Sequence, residues 1–209
     1  MKKYDLYLFD FDGTLINSYP ALEYVFSYSY QKIGIPFDKK DTIEYSRIPL
    51  IDGYNRLNGD PEKWEEFVKI IEDSLDHEES LRANSVYPET YEFIRYLREH
   101  HIKAGIVTSN VDNHVKAVLK KMNIPLDSFV IYLGSTQCRA VKPNPKPLLM
   151  ALEELNYKGP LNKVVYVGDG INDTLAANNA GMDAVLIDRI DAFSDSDKYE
   201  RIHSLMELF

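Results

Sequence analysis

The chain has 209 residues, of which 44% are hydrophobic and 27% are charged, as in one globular domain or a core with a modest insert. Its net charge of −9 argues against binding to nucleic acid or to an anionic membrane. No apolar run is as long as a bilayer span and the N-terminus does not resemble a signal peptide, so we expect a soluble, cytoplasmic protein. The one cysteine, Cys138, cannot form an internal disulfide and does not suggest a structural zinc.

The first predicted element is a buried strand that ends in two carboxylates. Residues 4–9 are almost continuously apolar or aromatic, as in a strand covered on both faces of a parallel sheet, and Asp10, Asp12 and Gly13 follow. Ligands of open α/β sheets bind beyond the carboxyl ends of the strands, where a carboxylate is costly unless paired, hydrogen-bonded or on a metal. One interpretation is attack on phosphorus by one carboxylate and proton transfer by the other, with a divalent metal. The alternative is a polar Asp-Gly turn in which one carboxylate caps a helix.

The following segment, residues 16–82, has helical patterning and no clear strand, and we predict that it is an insert after the first strand. Three helices are predicted in it, at about 19–33, 39–45 and 61–77. Ser18 and Asp60 are the predicted N-caps of the first and the third. Residues 46–53 are predicted to form a loop, which carries the basic residue Arg47.

From residue 86 onward, strands alternate with helices. Further strands are predicted at 103–107, 129–133, 163–167 and 183–187. Helices are predicted at 88–100, 112–122, 148–155 and 173–180, with a last helix on the surface in the tail. This alternation predicts an α/β fold with a parallel sheet that is covered on both faces by helices.

Polar side chains follow several of these strands, and the carboxyl ends of parallel strands meet at one edge of a sheet. The sheet should therefore bring together the residues that could carry chemistry. They are Asp10, Asp12, Thr108 with Ser109 and Asn110, Lys142, Asp169 and Asp173. This convergence is stronger evidence for a site than any one of the motifs.

Phosphoryl transfer depends on positioning and charge neutralisation, which magnesium and a few donors can supply. Asp10 and Asp169 are the natural side-chain ligands for Mg²⁺, and the backbone carbonyl of Asp12 is a third candidate. Asp173, in the first turn of the next helix, could bind the metal directly, bind it through water, or orient Asp169. Equally, Asp173 could act only as a helix cap.

Thr108 offers a hydroxyl and Lys142 a positive charge to a phosphate group, and the prolines around Lys142 stiffen its loop. Each residue has a structural alternative. Thr108 and Ser109 could cap the following helix, and Lys142 could be a solvated surface lysine.

Four motifs, in this order along the chain, resemble those of the haloacid dehalogenase-like superfamily. They are Asp10-Phe11-Asp12-Gly13-Thr14, Thr108-Ser109-Asn110, Lys142-Pro143-Asn144-Pro145, and Gly168-Asp169-Gly170-Ile171-Asn172-Asp173. The pattern is similar to the phosphoglycolate phosphatase-like group, in which a helical cap follows the first motif. The resemblance implies a Rossmann-like core at 1–15 and 83–209 and a small all-helical cap at 16–82.

The resemblance also implies a role for each motif residue. Asp10 would be the nucleophile that forms an aspartyl-phosphate, and Asp12 would be the general acid and then the base that activates water. Lys142 would bind the phosphoryl group and restrain Asp10. The implied metal set is Asp10, Asp12, Asp169 and Asp173 for Mg²⁺, and the implied substrate or phosphate set is Thr108, Ser109, Asn110, Lys142 and Arg47.

Arg47 enters this set because the loop Ser46–Leu50 is similar to the specificity loop of such caps, where it would contact the leaving group. The alternative is an exposed arginine on a cap loop. The sequence thus predicts a magnesium-dependent phosphatase of a small phosphorylated metabolite, phosphoglycolate-like or a sugar phosphate, acting as a monomer or homodimer. A phosphomutase on a sugar phosphate and a non-enzymatic phospho-acceptor switch are the alternatives.

Overall fold

The computed structural model describes residues 3–193 and 199–209, and the chain forms two compact units. The core unit consists of Met1–Ile16 and Val86–Phe209, and the helical unit consists of Asn17–Ser85. Among the described residues, no helix is both long and apolar enough to span a bilayer.

Helices account for most of the helical unit. They are α1 (Tyr19–Lys32), α2 (Thr42–Ser46), α3 (Leu50–Arg56), α4 (Trp64–Leu75) and α5 (Glu78–Ala83). The interior between them is aromatic, since the ring of Phe67 lies 4.7 Å from that of Tyr30 and 4.8 Å from that of Tyr54. All three side chains are buried, so ring packing holds α1, α3 and α4 together.

The predicted loop at 46–53 is wrong in its second half, because α3 begins at Leu50. Pro49 is the N-cap residue of α3, so its missing N–H costs no helical hydrogen bond. Gly53 packs against Tyr45, and a β-carbon at Gly53 would lie only 2.9 Å from Cδ1 of that ring. The glycine therefore permits close packing of a helix, although in the sequence it resembles a turn signal.

The predicted helix starts at Ser18 and Asp60 have different outcomes. The Asp60 side chain accepts a hydrogen bond from the backbone N–H of Glu62 at 3.0 Å, as expected of a cap. Ser18 is the N-cap residue of α1 by position, but its hydroxyl makes no capping hydrogen bond. The helix predicted at 61–77 is a 3₁₀ turn followed by α4.

The core unit contains a parallel sheet, which confirms the predicted α/β fold class. The strands of the chain are β1 (Leu6–Phe9), β2 (Ile16–Asn17), β3 (Ser85–Val86), β4 (Ala104–Val107), β5 (Tyr132–Leu133), β6 (Val164–Gly168), β7 (Asp183–Ile187) and β8 (Arg201–Ile202). The order in the described sheet is β5-β4-β1-β6-β7-β8, and β2 and β3 form a separate pair that the sequence did not predict. The helices of this unit are α6 (Thr90–Glu99), α7 (Asp112–Lys121), α8 (Lys146–Glu154) and α9 (Ile171–Ala180).

Strand β1 lies at the centre of this sheet, between β4 and β6. Its last residue, Phe9, pairs with Ile106 of β4 and with Val167 of β6. Every side chain of β1 is buried, as the continuous apolar run predicted. The residues that follow β1 therefore emerge between the ends of two neighbouring strands.

Two predictions near the ends of the sheet are wrong. The strand predicted at 129–133 is only Tyr132–Leu133, because residues 126–128 form a 3₁₀ turn and the Val130 side chain is exposed. The predicted surface helix in the tail is instead β8, which pairs with β7, and a 3₁₀ turn at Leu205–Leu208. Ile202, Leu205 and Leu208 are buried, so the tail completes the core instead of covering its surface. Residues 194–198 of that tail lie outside the described residues.

Arg189, which follows β7, ties three separate segments of the core unit together. Its guanidinium lies 2.6 Å from Oε1 of Glu89 and donates to the backbone carbonyl of Thr14 at 2.9 Å. The same Glu89 oxygen accepts a hydrogen bond from the N–H of Leu205 in the tail. Burial alone would raise the pKa of Glu89, but the hydrogen bonds and charge of Arg189 hold it below its ordinary value.

Glu89→Gln should lower the free energy of unfolding at pH 7 by about 1–3 kcal/mol, since the variant loses a charged hydrogen bond in a partly buried place. Because the folded-state pKa of Glu89 is lowered, its contribution is present at neutral pH and is lost as the pH falls through that pKa. Urea unfolding at pH 7 and at pH 4 measures the difference. Glu92→Gln, on the exposed face of the same helix, is the control, and equal losses in both variants would contradict the prediction.

Candidate active site

The site lies at the carboxyl ends of the three central strands. Asp10 follows β1, Thr108 follows β4 and Asp169 follows β6. The backbone N–H of Asp10 donates to the carbonyl of Val167 at 2.8 Å, which continues the pairing of β1 and β6 past the last strand residue. The sheet therefore places these residues at one edge, as the alternation of strands and helices predicted.

Three carboxylates form a buried cluster at this edge. One oxygen from each of Asp10, Asp169 and Asp173 lies within 4.8 Å of the other two. The side chain of Asp12 is not part of this cluster, although the sequence grouped Asp12 with the other three. Of the predicted metal ligands, the structure thus brings together three side chains.

Asp173 reaches the cluster from the first turn of α9. One carboxylate oxygen, Oδ2, accepts the N–H of Gly170 at 2.9 Å, which is a capping interaction. The other, Oδ1, lies 2.5 Å from Nζ of Lys142. Asp173 is therefore not a helix cap alone, since one oxygen caps α9 and the other contacts Lys142.

Gly168, the last residue of β6, allows Asp173 to approach this closely. A β-carbon at Gly168 would lie 2.4 Å from Cβ and Cγ of Asp173, which is far inside contact distance. Any side chain at position 168 would therefore displace the Asp173 carboxylate from the cluster.

Lys142 is the cation of the site. It is buried, so the alternative of a solvated surface lysine is excluded. Its Nζ lies 2.9 Å from Oδ1 of Asp10, 2.5 Å from Oδ1 of Asp173, and 3.0 Å from the hydroxyl of Tyr166. Burial alone would lower the pKa of the ammonium, but Asp10 and Asp173 raise it well above its ordinary value. Lys142 therefore remains charged.

The Asp10 carboxyl is held in an unfavourable place for a negative charge. Burial is the largest cause that raises its pKa, and Lys142 opposes this effect. Asp173, Asp169 and Asp12 raise it further because like charges repel. A cation that enters the cluster would reverse this effect.

The cluster fits a divalent metal ion by charge and by donor type. When all three carboxylates are ionised, they and the ammonium of Lys142 carry a net charge of −2. Oδ1 of Asp10 and Oδ1 of Asp173 are buried and accept no well-aligned hydrogen bond from the described residues, although Lys142 lies near both. Carboxylate oxygens in this number suit Mg²⁺, which prefers oxygen ligands and usually keeps some waters.

Asp12 is engaged by Asn110, which the sequence had assigned to phosphate binding. The Asn110 side-chain N–H donates to Oδ2 of Asp12 at 2.9 Å, while its Oδ1 accepts the N–H of Val111 at 2.7 Å. The second contact determines which way the amide points. Asn110 therefore fixes the orientation of the Asp12 carboxylate through one of its two oxygens.

The Thr108 hydroxyl accepts the backbone N–H of Asn110 at 3.1 Å, and its own hydrogen can be donated to a phosphoryl oxygen. The predicted alternative, that Thr108 or Ser109 caps the next helix, is wrong, because Val111 is the N-cap residue of α7. Ser109 is exposed.

Arg47 belongs to the helical unit, where it ends α2. Its guanidinium donates to the hydroxyl of Tyr19 at 3.2 Å and lies 6.0 Å from the centre of that ring. The residue is partly buried, whereas the alternative was an exposed arginine on a cap loop.

Sequence reasoning missed Tyr166, which contacts Lys142. In the sequence it is one aromatic residue in the strand Val164–Gly168 and resembles a core residue. The signal that could have found it is its hydroxyl, because a buried tyrosine in an otherwise apolar strand needs a hydrogen-bond partner.

Comparisons with known proteins identify the family of this chain. A family model for haloacid dehalogenase-like hydrolases matches residues 7–187. The chain is 31% identical over 181 residues to the pyrophosphatase PpaX of Halalkalibacterium halodurans. The aligned region covers 86% of this chain and 81% of the relative.

Two solved structures show the same fold at low sequence identity. A crystal structure from Bacteroides fragilis, described as a haloacid dehalogenase-like hydrolase, has a TM-score of 0.88 at 23% identity and covers 99% of this chain and 100% of that one. A haloacid dehalogenase-like family hydrolase from Streptococcus pneumoniae has a TM-score of 0.81 at 19% identity, with 98% and 96% covered.

Proposed function

The chain belongs to the haloacid dehalogenase-like hydrolases and is an enzyme of the phosphatase kind, and on that premise we propose that it is a magnesium-dependent phosphatase of a small phosphorylated metabolite. One observation carries the proposal: the buried Asp10 directly follows β1, forms an ion pair with Lys142 and shares a cluster with two further carboxylates. A cytoplasmic location and a monomeric or homodimeric state stay predictions.

In the proposed reaction, a carboxylate oxygen of Asp10 attacks phosphorus, and the bond from phosphorus to the leaving oxygen breaks. Asp12, protonated on the oxygen that Asn110 leaves free, gives its proton to the leaving group. The product is an aspartyl-phosphate on Asp10. Asp12 then takes a proton from water, which attacks phosphorus and releases orthophosphate with regeneration of the Asp10 carboxylate.

Charge neutralisation supports this reaction. Thr108 and Lys142 would donate to the phosphoryl oxygens, and Lys142 holds Asp10 in place. The side chains of Asp10, Asp169 and Asp173, with the carbonyl of Asp12 as a further candidate, would hold magnesium. When bound, the ion supplies positive charge to the carboxylates and to the phosphoryl group.

We take the helical unit to be the cap that selects the substrate, and Arg47 to be its contact with the leaving group. Phosphoglycolate, a sugar phosphate, a nucleotide and pyrophosphate are the candidate substrates, and the name of the relative supports pyrophosphate among them.

Release of orthophosphate from a panel of these compounds and nucleotides, with Mg²⁺ and with EDTA, tests the function. Release that is selective and lost in EDTA supports it. No release, with Asp10 nevertheless becoming phosphorylated, would contradict hydrolysis and favour a mutase or a phospho-acceptor switch.

Arg47→Ala should lower kcat/KM for the best metabolite by about tenfold or more, as expected when a charged contact worth roughly 1.5–3 kcal/mol is lost. It should leave kcat/KM for p-nitrophenyl phosphate nearly unchanged, because that leaving group offers no matching partner. Steady-state kinetics on both compounds measure the difference. Arg56→Ala, at an exposed arginine of the same unit, is the control. Equal losses on both compounds would remove Arg47 from substrate selection.

A further inference from the structure

Tyr166 connects the site lysine to the backbone of a neighbouring strand. It lies in β6, and its side chain is only 1% exposed. Its hydroxyl donates to the carbonyl of Val107 at 2.6 Å and accepts from Nζ of Lys142 at 3.0 Å. Val107 is the last residue of β4 and precedes Thr108. The phenol therefore links Lys142 to the point where the phosphate-binding segment begins.

The direction of both hydrogen bonds is determined by chemistry. A carbonyl oxygen only accepts, so the single hydroxyl hydrogen of Tyr166 is directed at Val107. An ammonium only donates, so Lys142 directs one of its three hydrogens at the phenol oxygen. Among the described residues, Nζ lies close to two carboxylate oxygens, but its well-aligned hydrogen bond is the one to the phenol oxygen.

The phenol differs from the other two oxygens around Nζ. The carboxylates of Asp10 and Asp173 belong to the cluster that could hold a metal ion, so a metal ion would compete with Lys142 for their oxygens. The Tyr166 hydroxyl is neutral and lies on a central strand that is hydrogen-bonded on both sides. Of the three oxygens near Nζ, the phenol oxygen is therefore the one that the sheet holds in place.

We propose that Tyr166 is a positioning residue, whose hydroxyl holds the ammonium of Lys142 against the end of β4 so that it faces Asp10 and a phosphoryl group bound there. This role rests on the proposed phosphatase function. Without the hydroxyl, one N–H of Lys142 and the carbonyl of Val107 lose their partners in a buried place, and the ammonium is held by the two carboxylates alone.

Tyr166→Phe tests the role, because it retains the ring and removes only the hydroxyl. The control is Tyr132→Phe, on the edge strand β5 of the same sheet. The hydroxyl of Tyr132 donates to the carbonyl of Leu126 and not to the site. We expect Tyr166→Phe to lower kcat/KM by about ten- to a hundredfold, as small displacements of a catalytic group do. Tyr132→Phe should retain wild-type kinetics, and both variants should melt within a few degrees of each other.

Binding of orthovanadate, measured by calorimetry in Mg²⁺, gives a readout that does not depend on turnover. We expect its affinity for Tyr166→Phe to fall by about tenfold or more while that of Tyr132→Phe stays at the wild-type value. A variant with lower thermal stability but wild-type kcat/KM and vanadate affinity would show a structural role and overturn the proposal.

The two proposals fail in different ways. A wild-type protein that binds vanadate but releases no phosphate from any compound would overturn the phosphatase function, and the vanadate affinities would still decide the role of Tyr166. A wild-type protein that neither binds vanadate nor releases phosphate would overturn both.

Discussion

Asp10→Asn should abolish phosphate release, with kcat reduced by at least about 10⁴-fold, because an amide oxygen cannot form the aspartyl-phosphate. The fold should be retained, since asparagine has the same shape in a buried place. Steady-state kinetics with Mg²⁺ on the best substrate measure the loss. Asp5→Asn, at an exposed position just before the same strand, should keep wild-type activity.

The stability of the same variant gives an independent check. The folded-state pKa of Asp10 is raised from 3.8 to about 8, so ionisation of this carboxyl lowers the stability of the metal-free protein between those pH values. Asparagine carries no charge and avoids this cost. In EDTA at pH 8, Asp10→Asn should therefore melt at least as high as the wild type, and the gain should disappear near pH 4.

Two results would contradict these expectations. Near-normal, metal-dependent activity in Asp10→Asn would show that another group is the nucleophile. A melting temperature well below that of the wild type at pH 8 in EDTA would show that the ion pair of Asp10 with Lys142 outweighs the cost of burying the charge.

Lys142→Met should reduce kcat by about 10³-fold or more, because it removes a charged donor from the phosphoryl site. In EDTA it should also lower the free energy of unfolding by about 3–5 kcal/mol, since Asp10 and Asp173 lose their buried counterion. Added Mg²⁺ should recover part of the stability, because binding to the folded state alone stabilises it. Urea unfolding with and without Mg²⁺ measures both effects.

Lys146→Met is the matched control, at an exposed lysine four residues further along. It should change neither the activity nor the response to Mg²⁺. If Lys142→Met were as stable as the wild type in EDTA and insensitive to Mg²⁺, the carboxylates would not share one cation site with the lysine.

The gathering of these residues at one edge of the sheet could be predicted from the sequence because it depends on where strands end. The buried run before Asp10 and the apolar strand before Asp169 are patterns of adjacent residues. Such local patterns can be recognised in the sequence alone. Alternating strands and helices then place those ends on one edge, whatever the details of packing. The sheet order confirms this, with β1 between β4 and β6.

The tail shows where local patterns are insufficient. Its buried residues are three apart, at 202, 205 and 208, a spacing that also suits the face of a helix. The structure has a strand and a 3₁₀ turn there, because β7 offers an unpaired edge that Ile202 can extend. A free edge of the sheet is a property of the folded core and cannot be read from the tail.

Within the site, the sequence by itself determined which residue types gather at the edge of the sheet, and only the tertiary structure decided how they pair. Asp12 turns to Asn110, and Lys142 lies among Asp10, Asp173 and Tyr166. The hydroxyl of Tyr166 meets a carbonyl 59 residues away. Such pairings depend on the register of parallel strands and on the direction of each side chain. Both arise from the packing of the whole core and leave no trace in the spacing of residues along the chain.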